Sequence, residues 1–208
     1  MSGTQIGFAA GGDGEELARA DLYGLLARLW VAPPDAELLQ ALASAPTAAP
    51  EAGAHLEAPW AALVAAFRAT DARAAAAEYD ALFQGVGKPE VFAYGSFYLT
   101  GFLNEKPLAV LRADLRRLGL TRDAARAETE DHVAYVFEVM RWLIAGDDAG
   151  VCNLEQQRRF FRAHVQPWVG ALCDAVEAHP RAAVWRALAA FTRAFVEVEM
   201  QAFDMLEA

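Results

Sequence analysis

Apolar residues recur along most of the chain at the spacing of a buried helix face. Leu22, Leu25, Leu26 and Leu29 fall at i, i+3, i+4 and i+7, and Pro33-Pro34 ends the helix that carries them. A second helix is predicted from Pro34 to Ser44, followed by an Ala-, Pro- and Gly-rich loop over Thr47 to Pro59. A third runs from Pro59 to Ala69. Thr70 is the expected N-cap of a helix over Asp71 to Phe83, whose Ala-rich first half has high helix propensity. Pro107 opens the next helix, which ends near Gly119 and carries Arg112, Arg116 and Arg117 on its polar side. With Thr129 as N-cap, Glu130 to Ala145 forms another, burying Val133, Val136, Phe137, Met140, Leu143 and Ile144 and stopping at Gly146. Asn153 with Gln156 resembles a capping box before a helix that carries Phe161, Val165, Trp168 and Leu172 and is interrupted at Pro167. Pro180 begins the last helix, where Leu188, Phe191, Phe195, Val198 and Ala202 keep a heptad spacing. No strand pattern and no internal repeat stand out. The expected fold class is all-α, a compact bundle of about eight to ten helices without a sheet.

One stretch does not follow the helical rhythm. Over residues 84–106, Gly85, Gly87, Pro89, Gly95 and Gly101 alternate with Phe92, Tyr94, Phe97, Tyr98 and Phe102. Connections of this length without structure of their own are uncommon and are often functional. The expected organisation is a mobile tail over residues 1–13, then one helical domain over 14–208 with a long functional loop at 84–106. Gly11, Gly12 and Gly14 follow no strand, so the tail is not read as a phosphate-binding loop.

Composition narrows the function classes. Hydrophobic residues make up 55% of the chain, enough for a large core and too many for a disordered segment. No apolar run approaches the ~20 residues that span a bilayer, so no stable membrane insertion is expected. Met1 to Gly14 holds neither a basic residue nor an apolar stretch of secretory type. Cys152 and Cys173 form no CxxC and are expected to be core thiols in a reducing compartment, which fits the cytoplasm. A net charge of −10 repels phosphate backbones and attracts basic peptides, although it also serves simple solubility.

Recognisable catalytic chemistry is sparse. His55, His132, His164 and His179 are widely spaced, with no HxxxH, HExxH or ExxH pair, no Gly-x-Ser-x-Gly elbow and no Walker loop. No metal, cofactor or catalytic residue is therefore assigned. Two features nonetheless have double meanings. Glu128, Glu130 and Asp131 beside His132 sit at an expected helix N-terminus, where acids complement the helix dipole. The same cluster makes an anionic pocket suited to a guanidinium. Tyr79, Leu82 and Phe83 share one helix face, as a core stripe would, yet they stand at the mouth of the aromatic loop. An apolar groove beside carboxylates suits a peptide with arginines and a hydrophobic stretch.

Three elements in this order carry a resemblance: Tyr79-Asp80-Ala81-Leu82-Phe83, then Tyr94-Gly95-Ser96-Phe97-Tyr98, then Glu128-Thr129-Glu130-Asp131-His132. Together they resemble the TorD/DmsD/NarJ family of molybdoenzyme-maturation chaperones, with Thr129 where the family has Pro. The stretch from Gln156 to Phe161, with His164 and Pro167-Trp168, is also similar to that family's C-terminal half. The resemblance covers roughly residues 17–206. It implies an all-α cytoplasmic chaperone, not an enzyme. Such a chaperone binds the twin-arginine signal peptide of a molybdenum-cofactor oxidoreductase precursor and aids cofactor insertion before export. The implied client is of the DMSO/TMAO reductase or formate dehydrogenase type. It also implies a monomer or a domain-swapped homodimer. On this reading Glu128, Asp131 and His132 meet the basic end of the peptide, and Tyr79, Leu82, Phe83, Tyr94 and Tyr98 meet its apolar stretch. Ser96 fixes the loop or bonds the peptide backbone. The alternatives are a NarJ-like assembly factor for a non-exported nitrate reductase, or a small-molecule enzyme using Glu128, Asp131 and His132.

Overall fold

The computed structural model describes residues 13–47, 54–85, 87–123 and 125–206. The expected tail lies outside these residues, apart from Asp13, which opens the first helix. Ten α-helices are present among the described residues, and no strand is. They are α1 (Asp13–Val31), α2 (Ala36–Ser44), α3 (Ala54–Arg68), α4 (Ala72–Tyr79), α5 (Gly95–Thr100), α6 (Lys106–Arg117), α7 (Val133–Ala145), α8 (Leu154–His164), α9 (Val169–Glu177) and α10 (Val184–Met205).

The pairing of α1 with α7 is the most extensive in the fold, and α10 packs against α9, α3 and α4. Tyr23 of α1 shows how these pairs join. Its ring lies 5.7 Å from Phe137 of α7 and 4.8 Å from Phe195 of α10. Leu22, Leu26 and Leu29 are buried as the spacing predicts, while Leu25 is only partly covered. Tyr23 and Trp30, on a neighbouring face, are buried completely, so α1 is covered on more than one side. The two buried polar ends are satisfied. The Tyr23 hydroxyl donates to Glu199, which also holds Arg19 bidentately, and the Trp30 indole donates to Thr192.

Several boundaries differ from the sequence reading, each for a physical reason. The helix expected from Pro59 begins at Ala54 and carries Pro59 inside it. Asp71 rather than Thr70 caps α4, accepting from the Ala74 amide, because carboxylates are stronger caps than threonine. The last helix begins at Val184, not Pro180, where the Glu78 carboxylate accepts from three successive backbone amides, those of Ala183, Val184 and Trp185. On α10 the buried face runs through Leu188, Phe191 and Phe195, then slips from Val198 and Ala202 to Glu199 and Phe203. A straight helix drifts about 20° per heptad, so a strict seven-residue spacing does not stay on one buried face. Asn153 caps α8 as expected, and residues 165–168 separate α8 from α9 around Pro167. Both cysteines are free; Cys173 is buried, but Cys152 is only half-buried and is not the core thiol expected. Among the described residues no helix is long and apolar enough to cross a membrane.

Candidate functional site

The aromatic motif that ends α4 does not continue as an α-helix. From Asp80 to Gln84 the chain widens into a π turn, closed by the Gly85 amide on the Asp80 carbonyl at 3.0 Å. Such widenings re-aim side chains and recur at functional sites. Leu82 faces the core and is completely buried, and its carbonyl accepts from the amides of Glu90 and Val91. Phe83 turns to the edge, where its ring meets Tyr79, Trp30 and Trp185. The Tyr79 hydroxyl donates to the Val31 carbonyl at 2.7 Å. Burial chiefly raises its pKa, to about 12, with the negative charge of Glu128 contributing in the same sense.

The loop over 84–106 is more ordered than the sequence suggests. It contains α5, and it is stitched to the acidic motif by an antiparallel bridge between Tyr94 and His132. The Gly95 amide donates to the Asp131 carbonyl and the Val133 amide donates to the Ala93 carbonyl, each at 2.9 Å. Gly95 is required by close approach: a Cβ there would stand 3.0 Å from the Trp168 indole. Ser96 is completely buried, and its hydroxyl accepts from the Asn104 amide. Of the two roles expected for Ser96, this geometry is the loop-fixing one.

The acidic motif is divided among three tasks. Asp131, almost fully buried, turns into the fold: its carboxylate accepts from the Ser96 amide at 2.9 Å and from the Thr129 hydroxyl at 2.6 Å. It therefore caps α5, a different helix from the one that follows it. Glu130 is held bidentately by Arg112 at 2.8–3.0 Å. Burial alone would raise its pKa, but the guanidinium outweighs that and lowers it. Glu128 accepts from the Tyr94 hydroxyl and remains half-buried. The helix expected to start at Glu130 starts at Val133, with His132 as its cap. Imidazole Nδ1 accepts from the Ala134 amide at 3.2 Å. That bond places the ring proton on Nε2. Burial lowers the His132 pKa to about 4, against the opposing charge of Asp131, so the ring is neutral at physiological pH.

These elements enclose a cavity of about 300 Å³, open to solvent on one side. Five of the nine predicted residues line it: Tyr79, Phe83, Tyr94, Glu128 and His132. The other four do not. Leu82 belongs to the core, Ser96 and Asp131 border a separate hollow beside Trp168, and Tyr98 stacks on Trp168 at 6.0 Å. A direct contact role for Asp131 would need its carboxylate to leave two hydrogen bonds. Sequence reasoning left Gln84, Leu103 and Asn104 of the lining unassigned, and named Phe92 only as a loop aromatic. Asn104 carried the one readable signal, since Asn tolerates the left-handed backbone it adopts at φ 62°. Leu99, Phe102 and Leu103 are exposed, Phe102 by 70%; Leu103 is on the cavity wall, whereas Leu99 borders the hollow beside Trp168. Among the described residues no group of three or more His, Cys, Asp or Glu side chains could hold a metal ion.

A protein family described as nitrate reductase delta subunit matches residues 49–174, more than half of the 208-residue chain. The chain belongs to the nitrate reductase delta subunit family. The match spans all three motifs and the cavity they build. It places the chain among the molybdoenzyme chaperones that the motifs resemble, without selecting the TorD/DmsD branch. No individual curated protein matches the chain.

Proposed function

We propose that the protein is an assembly chaperone that receives the N-terminal leader of a molybdenum-cofactor oxidoreductase in the cavity between the π turn, the loop residues on either side of α5 and the His132 cap. The observation that carries this reading is the meeting of Tyr79, Phe83 and Tyr94 with the Glu128 carboxylate in one open cavity. Glu128 takes a guanidinium of the leader, as a carboxylate with an accessible edge does best. The ring faces take one apolar side chain. Exposed Leu103 on the cavity wall, with exposed Phe102 next to it in the chain, offers the leader's hydrophobic stretch an apolar surface. Neutral His132 adds no repulsion toward a cation, and its Nε2–H is available to a peptide carbonyl. Asp131 acts at one remove, by holding the first turn of α5, the helix that follows Tyr94. The acidic chain, at −10, draws a cationic leader toward it. An enzyme built on Glu128, Asp131 and His132 is disfavoured, because Asp131 is turned out of the cavity the other two line.

The test is calorimetric titration of the full chain with a synthetic twin-arginine leader, a copy with both arginines replaced by alanine, and an N-terminal peptide of a non-exported nitrate reductase. The twin-arginine leader should bind with an arginine-dependent affinity, and Glu128→Gln should weaken it on the order of tenfold, as expected for a half-buried charged contact. Equal affinity for the leader and its alanine copy would overturn the proposal. Preference for the nitrate reductase peptide would move the client to the non-exported class while keeping the site.

A further inference from the structure

A second hollow, of about 590 Å³, opens between the end of α1, one face of α7 and residues 120–123 and 126. Its size lies within the range of small-molecule sites. Its floor is apolar, formed by Val31, Leu120, Val139, Tyr135 and Trp142. Four arginines stand around it: Arg28, Arg122, Arg126 and Arg141. The carboxylates nearby are unequally committed. Glu130 is held by Arg112 and Glu138 pairs with Arg141 at 2.8 Å. Arg126 reaches Asp123, and Arg28 reaches Asp35, only at 3.9 Å. Arg122 donates to the backbone carbonyls of Arg126 and Ala127, and no salt bridge involves it among the described residues. Three weakly paired guanidinia thus ring an apolar floor, on a chain whose net charge is −10. The stem of Arg141 lies over α1 at Gly24, where a Cβ would come within 2.9 Å of it. That close approach keeps this wall tight.

We propose that this hollow binds a small amphiphilic anion, with a ring-sized apolar body on Trp142, Tyr135 and Val139 and a sulfonate, carboxylate or phosphate held by Arg28, Arg122 and Arg126. A cationic leader is repelled from it, so the site is separate from the leader cavity in both place and charge.

The probe is anilinonaphthalene sulfonate, with uncharged phenylnaphthylamine as the control for apolar surface. On the full chain, one sulfonate should bind saturably, with tryptophan-to-probe energy transfer reduced in Trp142→Phe. Charge reversal at the exposed rim, Arg28→Glu with Arg126→Glu, should weaken the sulfonate on the order of tenfold and leave the uncharged control unchanged. Added salt should weaken the sulfonate in the same way. An unaltered thermal melt checks that the double variant folds. The proposal is overturned if binding never saturates (an adventitious additive only), if the reversed variant retains full affinity, or if both dyes weaken alike. Displacement of the sulfonate by a twin-arginine leader would place the probe in the other cavity and overturn it as well.

Discussion

Replacing Asp131 by alanine tests whether that carboxylate is a structural cap or a contact for the leader. The Ser96 amide it accepts from is completely buried, so removing the acceptor strands a donor where water does not reach. An unsatisfied buried donor costs about 1–3 kcal/mol. The Thr129 hydroxyl is only half-buried and can turn to solvent, adding about 0.5–1 kcal/mol. The expected loss is about 1.5–4 kcal/mol, a fall in melting temperature of about 3–16 °C for a chain of this size. Asp131→Asn keeps an oxygen for Ser96 while forfeiting the charge, and should lose roughly half as much. Circular dichroism melts and urea titrations read both variants, and leader titration is run alongside. Because Asp131 does not line the cavity, Asp131→Asn should hold leader affinity within about twofold of the parent. Refutation would take either of two forms: an alanine variant that melts with the parent, or an asparagine variant of parental stability that has lost the leader.

Two further outcomes follow from the same geometry. His132 titrates near 6.5 when unfolded and at about 4 when folded. The unfolded chain therefore takes up a proton that the native state refuses as pH falls between those values. Stability is full above about pH 6.5 and declines on acidification. His132→Asn keeps an acceptor for the Ala134 amide but cannot titrate, so its urea midpoint should fall less between pH 7 and pH 5 than the parent's. An equal fall in both would show that the ring is not buried in its neutral form. Glu78→Ala removes the acceptor of three amides at the start of α10 and should cost about 1–3 kcal/mol, read as faster hydrogen exchange over residues 183–187. Unchanged protection there would mean that water replaces the carboxylate without cost.

The helices were legible because their burial is periodic, and the stripe on α7 is buried as its spacing implies. What periodicity could not show is any bond made across the sequence. Glu128 to His132 read as acids at the head of their own helix, but Asp131 serves a helix 35 residues earlier and Glu130 serves Arg112. The start of α7 moved to Val133 because the Val133 amide is already taken by Ala93, a pairing no local propensity encodes. Likewise the π turn at Asp80–Gln84 leaves Leu82 and Phe83 facing different surroundings, whereas regular helical spacing put them on one face. Glu78 was invisible for a simpler reason. A carboxylate that caps a distant helix looks like any solvated charge.

The Tyr94–His132 bridge has a consequence for how the lining of this cavity can diversify. Its two stitches run between peptide groups, from Gly95 to Asp131 and from Val133 to Ala93, so the bridge itself is main chain, and side-chain identity enters where Trp168 excludes a Cβ at Gly95 and where the Asp131 carboxylate holds Ser96. Only a proline at position 95 or 133 would abolish a stitch outright by removing its donor. The upholstery at Tyr79, Phe83 and Glu128 can therefore be exchanged while the seams hold, so the lining of this socket can be retailored without the frame being rebuilt.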